Sequence, residues 1–277
     1  MPETHPLIAG PRIVLLCSYP RSGSNWVGDV LSLSESARLG EDPAQRRLFH
    51  DLEGLRAQGQ LDRFYTRTPR MIFLKTHELP GALFDRSPGL EAWTRAIVTV
   101  LRHPLDVLVS SFRYALWAGR VEHEGQRVDA FGRARELGYF DRYVDRFIEH
   151  AGDPAFIGAG YGSWLEHSEA WAAPVGVKAP IVRARYSDLL RSPVKQFARI
   201  AREIPMLVSE QHIADAVQTS TPARTAELLG KGFVHGASDG SHTELLSADQ
   251  RARAMEVFGP AMGRYGLGEG PSSSSTR

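Results

Sequence analysis

The chain has 277 residues, 42% of them hydrophobic and 23% charged, which is enough apolar material for one large core and a length that suits one domain or at most two. Lys and Arg number 33 against 32 Asp and Glu, a formal charge of +1, so net charge draws the chain neither to nucleic acid nor to an acidic membrane, and any basic site must be local. The single cysteine, Cys17, excludes an internal disulfide and a cysteine-cluster metal site.

The N-terminal stretch holds one short apolar run, Ile13 to Cys17, too short for the apolar region of a secretory signal, and no later stretch approaches a membrane span; the expectation is a cytoplasmic protein. That run reads as a buried strand with Cys17 as a small core residue. Directly after it comes CSYPRSGSNW, residues 17 to 26. A strand that passes through small residues into a helix points several backbone N–H groups at one spot, where the helix dipole adds positive charge. Ser22, Gly23 and Ser24 suit such an anion site, Gly23 by permitting close approach and the hydroxyls by donating further hydrogen bonds. The triphosphate pattern G-x-x-x-x-G-K-[ST] is absent, which disfavours a magnesium–triphosphate site. Trp26, Val27, Val30, Leu31 and Leu33 then approximate one helical face.

Residues 41 to 70, rich in Arg, Gln and Gly, read as a surface insertion, as do residues 119 to 162 around a short helix near Tyr139 to His150. Met71 to Leu74, Ala96 to Leu101 and Ile181 to Ala184 read as further buried strands, and Pro104 opens a helix through Val107, Leu108, Ser111 and Leu116. Parallel strands joined through helices need crossovers. The predicted fold is therefore α/β, a single domain over residues 1–267 with a central, mostly parallel sheet flanked by helices and a P-loop-like phosphate-binding turn. GEGPSSSSTR, residues 268–277, reads as a disordered tail. No His/Asp grouping has ligand spacing, so no metal is expected.

Further segments carry chemistry. In FLKTHELP, residues 73 to 80, His77 at a strand end offers an imidazole that can take a proton near neutrality. In LRHPLDVLVSSFRYAL, residues 101 to 116, a guanidinium at a strand end, Arg102, and a hydroxyl eight residues later, Ser110, can meet one phosphate. YGSWLEHSEAW, VRARYSDLL and VQTSTPARTAEL follow in that order. Together these segments resemble, from about residue 13 to about 267, the motifs of sulfotransferases that use 3′-phosphoadenosine-5′-phosphosulfate (PAPS). The resemblance implies that Arg21, Ser22, Gly23, Ser24 and Asn25 hold the 5′-phosphosulfate. It sets Trp26 and Tyr186 beside the adenine, Ser220 on the adenine side, and Arg102 and Ser110 on the 3′-phosphate. Lys231 and Gly232 belong to the terminal nucleotide clamp. His77 becomes the general base, with Arg21 and Lys75 facing the transferring and leaving oxygens and Ser110 restraining Arg21.

The chain departs from the family in having Arg21 where Lys is common, and Gly230 where the clamp usually has Arg. His235 and His242, downstream, read as loop residues. The runs Ser110-Ser111-x-Arg113 and Ser220-Thr221-x-x-Arg224 resemble bacterial enzymes that sulfate secondary metabolites such as glycopeptides, implying a small-molecule hydroxyl acceptor and neither a nucleic-acid nor a membrane partner. A magnesium-ATP-dependent small-molecule kinase and a catalytically silent nucleotide-binding protein remain the alternatives.

Overall fold

A computed structural model describes residues 10–41, 49–65, 70–174, 176–221, 224 and 240–268. The strands in chain order are β1 (Ile13–Cys17), β2 (Phe49–Asp51), β3 (Ile72–Thr76), β4 (Thr94–Leu101), β5 (Glu122–His123), β6 (Gln126–Arg127) and β7 (Ile181–Arg185). The chain sorts into two compact units, one within Met1–Leu101 and His167–Ala237, the other within Arg102–Glu166 and Ser238–Arg277.

The first unit carries a five-stranded sheet in the order β2-β3-β1-β4-β7, and every pairing is parallel. The predicted α/β class is therefore observed. β1 lies at the centre with all five residues fully buried, as an uninterrupted apolar run requires when both faces of a sheet are covered. Its side chains alternate between two cores. Val14 and Leu16 join Val27, Val30 and Leu31 of the helix Ser24–Arg38, together with Phe73 and Val98. Ile13, Leu15 and Cys17 join Leu52, Leu55, Leu61, Phe64, Leu83 and Leu90 on the other face. Each such side chain contributes about 1.5–3 kcal/mol on burial, so the position of β1 is strongly specified. Gly28 lets its helix approach closely, since a Cβ there would stand 2.9 Å from both Leu16 and Phe49.

One insertion reading fails here. Residues 41–70 contain β2, the helix Leu52–Ala57 and the short 3₁₀ turn Leu61–Phe64, which bury Leu52, Leu55, Leu61 and Phe64 in the core. The apolar residues are too widely scattered to show a period, but the edge of β3 gives Phe49–Asp51 a ladder to complete. β3 also runs on through Lys75 and Thr76, which pair in register with Leu16 and Cys17.

The second unit is mostly helical. Pro104–Trp117, Tyr139–Glu149 and Ala248–Tyr265 are its longer helices, and β5 and β6 form a small antiparallel hairpin. Its core is aromatic: Phe112 lies 5.2 Å from Phe140, Phe147 lies 5.9 Å from Phe258, and Trp164 meets Phe258 edge-on at 5.7 Å. The expected helix near Tyr139 is present, but residues 119–162 supply Phe140, Val144 and Phe147 to this core and so are more than surface. Among the described residues, no helix is long and apolar enough to cross a membrane.

Candidate active site

β1 ends at Cys17 and the chain turns through Ser18 to Gly23 into the helix Ser24–Arg38. Ser22 N–H donates to the Tyr19 carbonyl at 3.2 Å, closing the turn. Arg21 has φ +69° and Gly23 φ +101°, so the backbone passes twice through the left-handed region. For Arg21 that is strain, of the kind that persists where surrounding structure over-determines it. The helix has no side-chain cap and no acidic residue in its first turn, although its first N–H groups have no intrahelical acceptor. Ser22 is buried and its Oγ has no hydrogen-bond partner. Backbone donors without an intrahelical acceptor, a buried donor hydroxyl and no carboxylate on the first turn make a site for an oxyanion.

Tyr186, at the start of the helix following β7, packs directly over this turn: a Cβ on Gly23 would lie 2.5 Å from its ring. Trp26 meets Tyr186 edge-on at 6.1 Å and Phe197 at 5.4 Å. The structure thus brings Gly23, Trp26 and Tyr186 together. Ser220 donates its hydroxyl to Asp29 at 2.5 Å, and burial holds the Asp29 carboxyl above the usual range despite Ser220 and Arg224.

β3 delivers the Lys75-Thr76-His77 segment beside that turn, for Ser18 N–H donates to the Thr76 carbonyl at 3.4 Å. The His77 ring Nδ1 lies 2.7 Å from the Ser18 carbonyl. A carbonyl only accepts, so Nδ1 carries the proton and Nε2 keeps its lone pair. Burial, with the charges of Lys75 and Arg21, lowers the His77 pKa to about 3, against the opposing Ser18 bond and Asp51. Lys75 Nζ lies 3.2 Å from Asp51 Oδ2. Glu53 Oε1 accepts from Thr76 Oγ1 at 2.8 Å and from His77 N–H at 2.9 Å. Burial holds the Glu53 carboxyl above its ordinary range, the His77 and Thr76 donors opposing and the Asp51 charge adding. Sequence reading missed Asp51 and Glu53, whose contacts lie 23 and 24 residues away along the chain for Glu53.

In the second unit, Arg102 is buried and its carbonyl accepts from Trp164 Nε1 at 3.3 Å. His103 caps the helix Pro104–Trp117 by accepting from Leu105 N–H. Ser110, half-buried, lies one turn beyond Asp106 on the same helix face. Asp106 accepts from Gly240 N–H, Ser241 Oγ, His242 N–H and His242 Nδ1; burial alone would raise its carboxyl, but the His242 side chain, the Gly240 N–H and the charge of Arg102 hold it well below the ordinary range. His242, read from sequence as a loop residue, is therefore a buried partner of Asp106, 136 residues away. His103, Asp106 and His242 bring possible ligand atoms within 4.8 Å, a grouping that spacing could not reveal. The two rings, however, stack 4.3 Å apart and 6° from parallel. A metal lies in the plane of each imidazole that binds it, and parallel planes share no such point. Arg21, Ser22, Gly23, Ser24, Asn25, Trp26, Lys75, His77, Tyr186 and Ser220 thus belong to the first unit and Arg102 and Ser110 to the second. Lys231 and Gly232 lie outside the described residues.

Curated relatives include sulfotransferase 1B1 of Canis lupus familiaris, 26% identical over 205 residues, and sulfotransferase 1A1 of Bos taurus, 24% identical over 220. The matches cover 69% and 77% of this chain but only 58% and 65% of those proteins, so the chain spans about three-fifths of their length. Among solved structures, mouse sulfotransferase SULT7A1 complexed with PAP covers 93% of this chain and 86% of its own at TM-score 0.59 and 14% identity. Retinol dehydratase in complex with androsterone and inactive cofactor PAP covers 96% and 82% at TM-score 0.58 and 17% identity. Likeness at that identity concerns the fold. The model of the sulfotransferase domain, though, matches residues 11–266, across both units and nearly the whole sequence, and by that match this chain is a member of the sulfotransferase domain family.

Proposed function

We propose that the protein transfers the sulfuryl group of PAPS to a hydroxyl of a small molecule, with His77 as general base. The acceptor is assigned to hydroxylated bacterial secondary metabolites, on the likeness of the Ser110-Ser111-x-Arg113 and Ser220-Thr221-x-x-Arg224 runs. The single observation that carries the reading is the 2.7 Å bond from His77 Nδ1 to the carbonyl of Ser18, the residue that opens the anion-binding turn. It ties a proton acceptor to an oxyanion site.

The residues fit the donor nucleotide. The unpartnered Ser22 hydroxyl and the uncapped first turn at Ser24 to Trp26 suit its 5′-phosphosulfate, while the half-buried Trp26, backed by the buried Tyr186, would sit beside its base. Arg102 and Ser110 would take its 3′-phosphate. When bound, PAPS supplies an activated sulfuryl group. The protein's own part is to receive the acceptor proton at His77 Nε2 and to set Arg21 and Lys75 where negative charge develops. Because His77 is held neutral, its lone pair is available throughout the neutral range. Its low basicity means that the proton moves late, once the attacking oxygen has begun to lose electron density and become acidic.

Calorimetry with adenosine 3′,5′-bisphosphate against ADP tests the nucleotide class before any acceptor is known. Preferential binding of the bisphosphate is expected, and equal or stronger binding of ADP with magnesium would turn the assignment to a kinase.

A further inference from the structure

The corner between β2 and the helix Leu52–Ala57 contributes two carboxylates to one catalytic segment. Asp51 stands opposite Lys75 in the parallel register, its Oδ2 3.2 Å from Lys75 Nζ, while its Oδ1 accepts the Gly54 N–H and so caps the helix. Two residues on, Glu53 Oε1 accepts from both Thr76 Oγ1 and His77 N–H. Thr76 Oγ1 in turn accepts Glu78 N–H at 3.1 Å, extending the chain of bonds through the turn. All three residues of Lys75-Thr76-His77 are thus held from the same corner.

A buried carboxylate is an expensive choice for fixing a turn unless its geometry matters, and Glu53 Oε2 is buried with no partner at all. We infer that the Asp51–Glu53 corner is the positioning device of the reaction, Glu53 setting the backbone at His77 so that its ring reaches Ser18 and Asp51 setting the ammonium of Lys75. This rests on the reading of His77 as the base. The logic is that of a rotating ring: Nδ1 finds the Ser18 carbonyl only if the His77 backbone is correctly oriented, and that bond keeps the lone pair at Nε2. A further hydrogen bond joins the His77 backbone to the ring of His167, itself buried. Glu53 therefore acts through His77 and is a positioning residue.

The test reads the ring itself and needs no acceptor. Long-range proton–nitrogen correlation spectra of the ten histidines, with His77 assigned through His77→Ala, report its tautomer in wild type, Glu53→Ala and Glu53→Gln, and calorimetry with adenosine 3′,5′-bisphosphate is run on each. Wild type should show Nδ1 protonated. Glu53→Ala should shift the His77 tautomer ratio by about fivefold, one neutral hydrogen bond's worth, and Glu53→Gln, which keeps an acceptor oxygen, should restore it. Bisphosphate affinity should stay within about twofold in both, as expected of a group that touches no nucleotide. An unchanged His77 signal in Glu53→Ala, or a Gln variant as perturbed as the Ala variant, would overturn the inference. So would joint loss of the tautomer and of bisphosphate binding, which would mark Glu53 as a scaffold residue. A wild type that does not bind the bisphosphate would instead remove the sulfuryl-transfer reading, and the positioning role with it.

Discussion

Replacing Gly23 by Ala probes the tightest contact of the anion-binding turn. Two costs arise. An L-residue at φ +101° incurs roughly 1–2 kcal/mol of backbone strain. The added Cβ, 2.5 Å from two ring carbons of Tyr186, must also displace a buried side chain that packs against Trp26, at about 1–3 kcal/mol. Gly23→Ala should therefore lose about 2–5 kcal/mol, a large share of the 5–15 kcal/mol typical of a folded protein. Urea denaturation should show a lower midpoint at unchanged slope. The two costs separate in a double-mutant cycle: in a Tyr186→Ala background the steric part disappears and only the backbone part, about 1–2 kcal/mol, remains. An identical cost for Gly23→Ala in both backgrounds would refute the steric reasoning, and no cost in either would refute both parts.

Three other outcomes are expected. His77→Ala should lower kcat for sulfuryl transfer by about 10²–10⁴ while calorimetric affinity for adenosine 3′,5′-bisphosphate changes little, and retained turnover would end the base assignment. Arg102→Ala should weaken that bisphosphate by about 10–100-fold but adenosine 5′-phosphate hardly at all, and equal losses would reject its 3′-phosphate contact. Stability should fall in acid, because burial holds His77 and His167 to pKa values of about 3 and His103 to about 4. The unfolded chain then binds more protons than the folded one from about pH 6.5 down to about 3, so stability is full above that window and is lost as pH drops through it. Between pH 7 and 5 the three imidazoles together should cost about 6 kcal/mol, a fall in Tm of roughly 10 °C for a chain of this length by calorimetric scanning; a flat Tm would refute the neutral, buried state of all three.

The elements legible in the sequence are those whose signal is local. β1 is a pure apolar run that ends in small turn residues, and β4 carries the run Ala96 to Leu101, apolar but for Thr99, just before the helix that Pro104 opens, so the α/β class and the anion-binding turn could be read directly. β2 could not, because Phe-His-Asp has no period and becomes a strand only by pairing with β3. The same holds for the site. Ser22, Gly23 and His77 advertise their chemistry by residue type and neighbours. Glu53 and Asp106 carry ordinary surface chemistry in one dimension and acquire their roles only from partners 24 and 136 residues away. The aromatic core of the second unit was hidden for a related reason, its members being spread from Phe112 to Phe258 among polar neighbours.

The order of strands has a consequence for how the protein is made. β4 ends at Leu101, and the strand that covers its outer edge begins only at Ile181. At a ribosomal pace of roughly 5–20 residues per second, the intervening 80 or so residues leave that edge open for about 4–16 s after β4 emerges. The stretch that β7 later covers, Ile97 to Leu101, is apolar but for Thr99, the kind of edge to which another nascent chain can add itself. Heterologous production will therefore be governed by what shields β4 during that interval, and trigger-type chaperones or a slower, cooler induction should raise the soluble yield more than any change to the finished molecule.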